Sequence, residues 1–313
     1  MHPAFFVVFL TTLIGAGQGL FLALFAVERL ARYGVVRDAP PPAFLGAGAI
    51  VAAALTCGGL VASTFHLGRP ERAWRAASKW RTSWLSREVI ALPAFLGLVV
   101  LYAAVQLLAW PGGVAIGVAA ALACIALFVC TGMVYACIRF LQEWASPWTL
   151  VNFALLGTAS GTTLAAALAW LAWPPFAADY AAAAIVLTAL ALVTRSATLA
   201  RNARLRPKST LQSAIGVKHP RIEQKAQGFM GGSFNTREFF HGASPAKLRA
   251  IKRGFLAFSF VVPILLLGAG VAAAAPALFG VAFVTQYAGL LAERWFFLAQ
   301  ANHPQNLYYQ AIS

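Results

Sequence analysis

The stretch Val114 to Ile138, VAIGVAAALACIALFVCTGMVYACI, runs for 25 residues without a charged side chain. An α-helix rises about 1.5 Å per residue, so a helix of roughly 20 apolar residues crosses the hydrocarbon core of a bilayer. Backbone amides find no water in that core, and a continuous apolar run must satisfy them internally as a helix. The stretch therefore predicts a transmembrane helix.

Seven more apolar runs of similar length surround it: Phe5 to Val27, Phe44 to Phe65, Val89 to Ala109, Leu150 to Trp173, Tyr180 to Ala200, Gly254 to Ala274 and Ala277 to Ala299. The chain of 313 residues is 60% hydrophobic and 11% charged, whereas soluble domains are about 25% charged. No alternating pattern of transmembrane strands is present. We predict an all-α polytopic membrane protein, with residues 1–313 forming a single bundle of eight transmembrane helices.

The basic residues are distributed unevenly between the two faces of this bundle. The face that holds both termini and the loops after helices two, four and six carries 21 Lys and Arg residues, and the other face carries 3. The positive-inside rule then places both termini in the cytoplasm, and we expect the membrane to be a bacterial inner membrane. The net charge of +15 is typical of contact with anionic lipid, so no nucleic-acid partner is expected.

The longest hydrophilic segment, Arg195 to Arg253, carries 13 basic and 2 acidic residues and predicts a long cytoplasmic loop between helices six and seven. Two interpretations are open for it. One is a solvated basic linker that rests on anionic lipid. The other is a docking surface for a protein partner, which is favoured by the aromatic residues Phe229, Phe234, Phe239 and Phe240.

The segment His66 to Glu88, HLGRPERAWRAASKWRTSWLSRE, is the densest candidate for chemistry. His66 ends the second predicted helix, Glu88 begins the third, and Pro70 can open a short helix between them. With Arg72 near, an imidazole and a carboxylate at this depth could bind a quinone oxygen and exchange its proton. The alternative is a structural histidine beside arginines that extend to the membrane interface.

No resident cofactor is expected in the chain. The four cysteines lie in apolar runs without a CxxC pair, and no metal site is predicted from them. A membrane haem needs histidine ligands inside helices, but only His66 borders a helix, so no haem is expected. For the buried Glu293 we predict an ion pair with Arg294 or Arg139 that joins helix ends.

Five stretches carry a family resemblance: MHPAFFVVFLTTLIGAGQGL at 1–20, HLGRPERAWRA at 66–76, SWLSRE at 83–88, GFMGGSFNTREFFHG at 228–242 and AERWFFLAQANHPQNLYYQ at 292–310. They are similar to the membrane anchor subunits of dimethyl sulfoxide (DMSO) reductase-type complex iron-sulfur molybdoenzymes. Together with the eight helices, the resemblance covers essentially the whole chain.

The resemblance implies a trimer in which a molybdopterin catalytic subunit and a four-cluster iron-sulfur subunit dock on this anchor. The anchor would hold no haem or metal and would exchange electrons with membrane quinone at His66, Gly68, Arg72 and Glu88. Anchors of this kind with cytoplasmic partners serve sulfite oxidation, so the topology favours a sulfite:quinone oxidoreductase. The alternatives are a reductase of DMSO or sulfur compounds that oxidises quinol, a purely structural anchor, and, more distantly, a transporter, for which internal repeats would be expected.

Overall fold

The computed structural model describes residues 1–36, 38–65, 68–223, 225–226, 239–304 and 306. This part of the chain is helical and has no β-strand. Its α-helices are α1 (Phe5–Arg32), α2 (Pro42–Thr64), α3 (Trp84–Leu107), α4 (Gly113–Ala136), α5 (Pro147–Ala172), α6 (Ala177–Ala203), α7 (Leu211–Ile215), α8 (Pro245–Leu256), α9 (Val262–Ala272) and α10 (Ala277–Ala299). Short 3₁₀ helices at Pro70–Lys79 and Pro174–Phe176 precede α3 and α6.

Seven helical segments of the described chain are long and apolar enough to cross a membrane, the last of them being the continuous segment Pro245–Ala272. This confirms the predicted all-α, multi-pass membrane fold. Helix α10 has the predicted bounds but is less apolar, because it contains Gln286, Glu293 and Arg294. A count of eight crossings therefore stays a prediction. One contact favours eight: the Met1 amine donates to the Ala301 carbonyl at 2.8 Å. With seven crossings, Met1 and Ala301 would lie on opposite sides of the membrane.

Helices α1 and α5 form the centre of the bundle, and more than half of the most apolar stretch of each helix is buried. Glycines allow the two backbones to touch. A Cβ atom at Gly161 would lie 2.0 Å from the Leu20 nitrogen, and one at Gly19 would lie 2.1 Å from the Gly157 carbonyl oxygen. Such close contact of small residues is the usual way in which helices associate in lipid, where no hydrophobic effect drives them together.

A π-helical turn at Ala257–Val261 joins α8 to α9. Pro263 follows it and has no N–H to donate, so the carbonyl of Ser259, four residues earlier, needs another donor. Gln286 of α10 supplies it, with Nε2 at 3.3 Å, and the same amide donates to Thr188 of α6 at 3.0 Å. One buried amide thus ties three elements together.

The predicted loop Arg195 to Arg253 is shorter than the charge pattern indicated. Helix α6 continues to Ala203, and α8 already begins at Pro245. Arg195 is therefore a residue of a membrane helix and is 1% exposed. Within 228–242, only residues 239–242 belong to the described chain. We call the side of the bundle on which α2, α4, α6 and α10 end the basic side.

Candidate functional site

Three of the four residues predicted to form one site belong to the part of the chain that the structure describes. His66 lies outside the described residues. Gly68 and Arg72 belong to the exposed segment before α3, and Pro70 opens a short helix there, as predicted, although it is a 3₁₀ helix. Arg72 Nε lies 3.8 Å from Glu71 Oε1, with both side chains more than half exposed. Such a surface pair contributes little to stability.

Arg87 fastens this exposed segment to the start of α3. Its Nε and Nη2 atoms donate to the carbonyl oxygens of Trp80 and Arg81, each at 2.9 Å. Its guanidinium lies 4.2 Å from the centre of the Trp84 ring. The other basic side chains of the segment are exposed: Arg69, Arg72, Arg75, Lys79 and Arg81. They form a positively charged strip on the basic side, where lipid headgroups or a partner can contact it.

Glu88 points into the bundle. It lies in the second turn of α3, which Ser83 caps by accepting a hydrogen bond from the Ser86 N–H at 3.3 Å. The Thr131 hydroxyl of α4 donates to Glu88 Oε1 at 2.6 Å. Among the described residues, no hydrogen bond or ion pair joins Glu88 to Gly68 or Arg72. Of the predicted site residues in the described ranges, Glu88 alone is within the bundle.

Glu88 lines a small cavity of about 20 Å³ between helices α1, α3, α4, α5 and α10. Its polar lining includes Thr12, Gln18, Glu88, Thr131, Ser160 and Arg294. Most of these groups also bond to protein atoms. Gln18 Nε2, for example, donates to the Cys124 carbonyl at 2.9 Å. The cavity therefore has a carboxylate and a guanidinium in a lining that is otherwise largely apolar.

A buried ion cluster lies beside this cavity. Glu293 Oε1 is 2.6 Å from Arg195 Nε, and Glu293 Oε2 is 2.5 Å from Arg294 Nε. All three side chains are at most 6% exposed. The Arg294 guanidinium also stacks over two aromatic rings, at 4.2 Å from Phe153 and 4.9 Å from Phe297. We name Arg195, Glu293 and Arg294 the buried ion cluster.

The sequence interpretation found part of this cluster. The pair of Glu293 with Arg294 is confirmed, whereas Arg139 does not take part in the ion pairs of Glu293. Arg195 was missed because it was assigned to the loop. A signal was available, since Arg195 lies within the predicted run Tyr180 to Ala200 and an arginine inside an apolar span is a functional candidate by default. Within the described ranges, no three His, Cys, Asp or Glu side chains are grouped as metal ligands.

Comparison with known proteins assigns the family. The model of the family "DMSO reductase anchor subunit (DmsC)" matches residues 1–219. The chain belongs to this family. The anchor is also 51% identical, over 328 aligned positions that cover all of both chains, to a protein from Allochromatium vinosum that is named as a subunit of sulfite dehydrogenase. The resemblance to anchor subunits, and to their sulfite-oxidising branch, is therefore confirmed.

Met1 contacts the residues that follow α10 on the basic side, where its amine donates to the Ala301 carbonyl. Burial lowers the pKa of the Met1 amine to about 6, and the charge of Glu143 partly opposes this. Burial also lowers the pKa of His241, as do the positive charges of the amine and of His2. The His303 ring stacks on Phe239, with ring centres 3.8 Å apart. A cavity of about 610 Å³ opens between residues 239–248 and 299–306.

Proposed function

We propose that this anchor passes electrons between a partner iron-sulfur subunit and membrane quinone in a complex that oxidises sulfite. The observation that carries the proposal is the 51% identity, across the whole of both chains, to a subunit of a sulfite dehydrogenase. In this proposal the molybdopterin subunit oxidises sulfite, and the anchor transfers the electrons to membrane quinone.

The exposed features of the basic side support docking of the partner there. The strip of arginines and lysines before α3 is exposed, and Trp74 and Trp80 between them are 73% and 53% exposed. The cavity of about 610 Å³ beside His241 and Ala301 adds a concave surface. Aromatic and arginine side chains are the types enriched at protein interfaces. An iron-sulfur subunit with an acidic surface would fit this side, which the positive-inside rule assigns to the cytoplasm.

The proposed quinone site comprises His66, Gly68, Arg72 and Glu88. Glu88 supports it, because an ionisable group buried near a helix end is suited to proton exchange with a ligand in the membrane. Quinone takes up two electrons and two protons to become quinol, and sulfite with water releases two electrons and two protons as it becomes sulfate. Glu88 would give a proton to one quinone oxygen, while the positive charge of Arg72 would orient the headgroup. The cavity of about 20 Å³ beside Glu88 is too small for the ring, so the quinone would approach from the lipid side.

A second candidate function is electron transfer in the opposite direction, in which the anchor oxidises quinol and supplies the electrons to a reductase. The description of the matched family, DMSO reductase anchor subunit, favours it. Nothing in the anchor itself determines the direction of electron flow, because the same proton-exchanging groups serve both directions. The substrate of the catalytic partner distinguishes the two.

Purification of the intact complex through a tag on the anchor tests the proposal. We expect an iron-sulfur subunit and a molybdopterin subunit to copurify, and sulfite to reduce a water-soluble quinone analogue in the preparation. As a control, the complex is assayed for quinol oxidation with DMSO. Oxidation of quinol by DMSO, without reduction of quinone by sulfite, would contradict the sulfite assignment and favour the second candidate.

A further inference from the structure

The buried ion cluster is not electrically balanced. Arg195 and Arg294 bring two positive charges, and Glu293 brings one negative charge. All three side chains lie inside the bundle, where an uncompensated charge is costly unless an opposite charge or a polar solvent meets it. A further group must therefore compensate the excess positive charge.

Glu88 is placed to do so. It lines the same cavity as Arg294, and it is the carboxylate among the described residues of that lining. Glu88 accepts a hydrogen bond from Thr131. Arg294 Nη1 is buried and has no hydrogen-bond partner among the described residues. Within this part of the chain no ion pair joins Glu88 to Arg294 directly, although both line the same cavity.

The size of the cavity and the polar groups in its lining fit one bound water. Measured as the space open to the centre of a water molecule, it holds about 20 Å³, and about 10 to 15 Å³ is enough for one water. A bound water needs two to four polar partners. Besides Glu88 and Arg294, the lining supplies Thr11, Thr12, Gln18 and Ser160.

We propose that this cavity is a water-binding site that joins the Glu88 carboxylate to the Arg294 guanidinium. With Glu88 ionised, the two arginines are balanced by two glutamates, and the four side chains form one neutral unit. When Glu88 takes up a proton, the unit gains a positive charge. Arg294 is thus a positioning residue for Glu88. The role of Arg294 in proton exchange by Glu88 rests on the proposed quinone site, whereas the water site itself does not depend on quinone.

A double-mutant cycle tests the link without any quinone chemistry. Glu88→Gln and Arg294→Gln each unbalance the unit, so each should lower the melting temperature of the purified complex by several degrees. The double variant restores neutrality and should melt well above the temperature expected from adding the two losses. The matched control is Arg201→Gln, which removes a partly buried arginine of α6 that donates to the Gln142 carbonyl. Its loss should add to that of Glu88→Gln. Additive losses for Glu88 and Arg294 would overturn the proposal.

Direct observation and kinetics complete the test. A high-resolution map of the complex should show water density within hydrogen-bond distance of both Glu88 and Arg294, and a dry cavity would overturn the proposal. Arg294→Gln should lower kcat for quinone reduction without a matching rise in KM, and Arg294→Lys should restore part of kcat. If the cycle and the map support the water but sulfite reduces no quinone, the quinone function fails and the water site stands. If sulfite does reduce quinone but the losses are additive and the cavity is dry, the water site fails and the quinone function stands.

Discussion

Arg195 of α6 and Glu293 of α10 form an ion pair inside the helix bundle, with Nε and Oε1 2.6 Å apart and both side chains at most 1% exposed. The two residues are 98 positions apart in the chain. Their pair fixes α6 against α10, and Arg294 binds the other oxygen of the same carboxylate. The geometry of this part of the membrane domain thus depends on one glutamate.

Removal of that glutamate should be strongly destabilising. Glu293→Gln leaves two buried guanidinium groups without their shared counter-ion, and loss of one partner from a buried pair costs about 3–5 kcal/mol. We expect a large fall in melting temperature in detergent and little assembled complex. The matched control is Glu71→Gln, whose pair with Arg72 is exposed and should change stability little. Equal melting temperatures for the two variants would contradict a structural role for the cluster.

The contact of α1 with α5 should tolerate no added methyl group. Gly161→Ala would place a Cβ atom 2.0 Å from the Leu20 backbone nitrogen, so the two helices would have to separate. We expect less folded anchor in membranes and a lower melting temperature. Gly97→Ala in α3 is the control, since apart from the backbone of α3 itself no described atom lies within 4 Å of its Cβ position and alanine is the better helix former. A loss in the control as large as in Gly161→Ala would refute the packing argument.

Acid should loosen the contact between the two ends of the anchor. The pKa of His241 is lowered from the ordinary value of 6.5, chiefly by burial. Below pH 6.5 the unfolded chain therefore binds more protons at this residue than the folded chain does, and the free energy of unfolding falls as the pH falls. We expect His241→Gln to reduce the loss of melting temperature between pH 7 and pH 5.5. An unchanged pH dependence in His241→Gln would contradict this assignment.

The orientation of the anchor in the membrane is open to chemical labelling. Lys208 and Ala39 are both exposed and lie on opposite sides of the bundle. A cysteine is introduced at one of these positions at a time, after replacement of the exposed native Cys57 and Cys137. The positive-inside rule puts position 208 in the cytoplasm. In intact cells a membrane-impermeant thiol reagent should label position 39, and it should label position 208 only after permeabilisation. The opposite pattern would reverse the topology and remove the argument for a cytoplasmic sulfite-oxidising partner.

Much of the fold could be predicted from the sequence because a transmembrane helix is a local signal. About twenty apolar residues in a row indicate a span without any knowledge of its neighbours. The ends of the helices were less predictable, since polar residues there can belong to the helix. Helix α3 begins at Trp84 rather than near Val89, because Ser83 caps it and Glu88 finds a partner inside.

The candidate site was harder to predict, because it depends on which helices are neighbours and how each is rotated. Glu88 and Thr131 are 43 residues apart, and Arg195 and Glu293 are 98 apart. A single sequence contains no record of such pairs. The charge pattern predicts a site from Glu88 and the segment before α3, but it contains no sign that Glu88 and Arg294 line one cavity.

The rate of sulfite-dependent quinone reduction by the purified complex tests the central claim most directly, measured beside sulfite-dependent reduction of an artificial dye that bypasses the anchor. In Glu88→Gln and His66→Ala we predict that the quinone rate falls about 100-fold or more, as expected for loss of a proton-exchanging group, while the dye rate is unchanged. Arg72→Ala should have a similar or milder effect, because its charge orients the quinone without taking its proton. Wild-type rates of quinone reduction in both Glu88→Gln and His66→Ala would contradict the account.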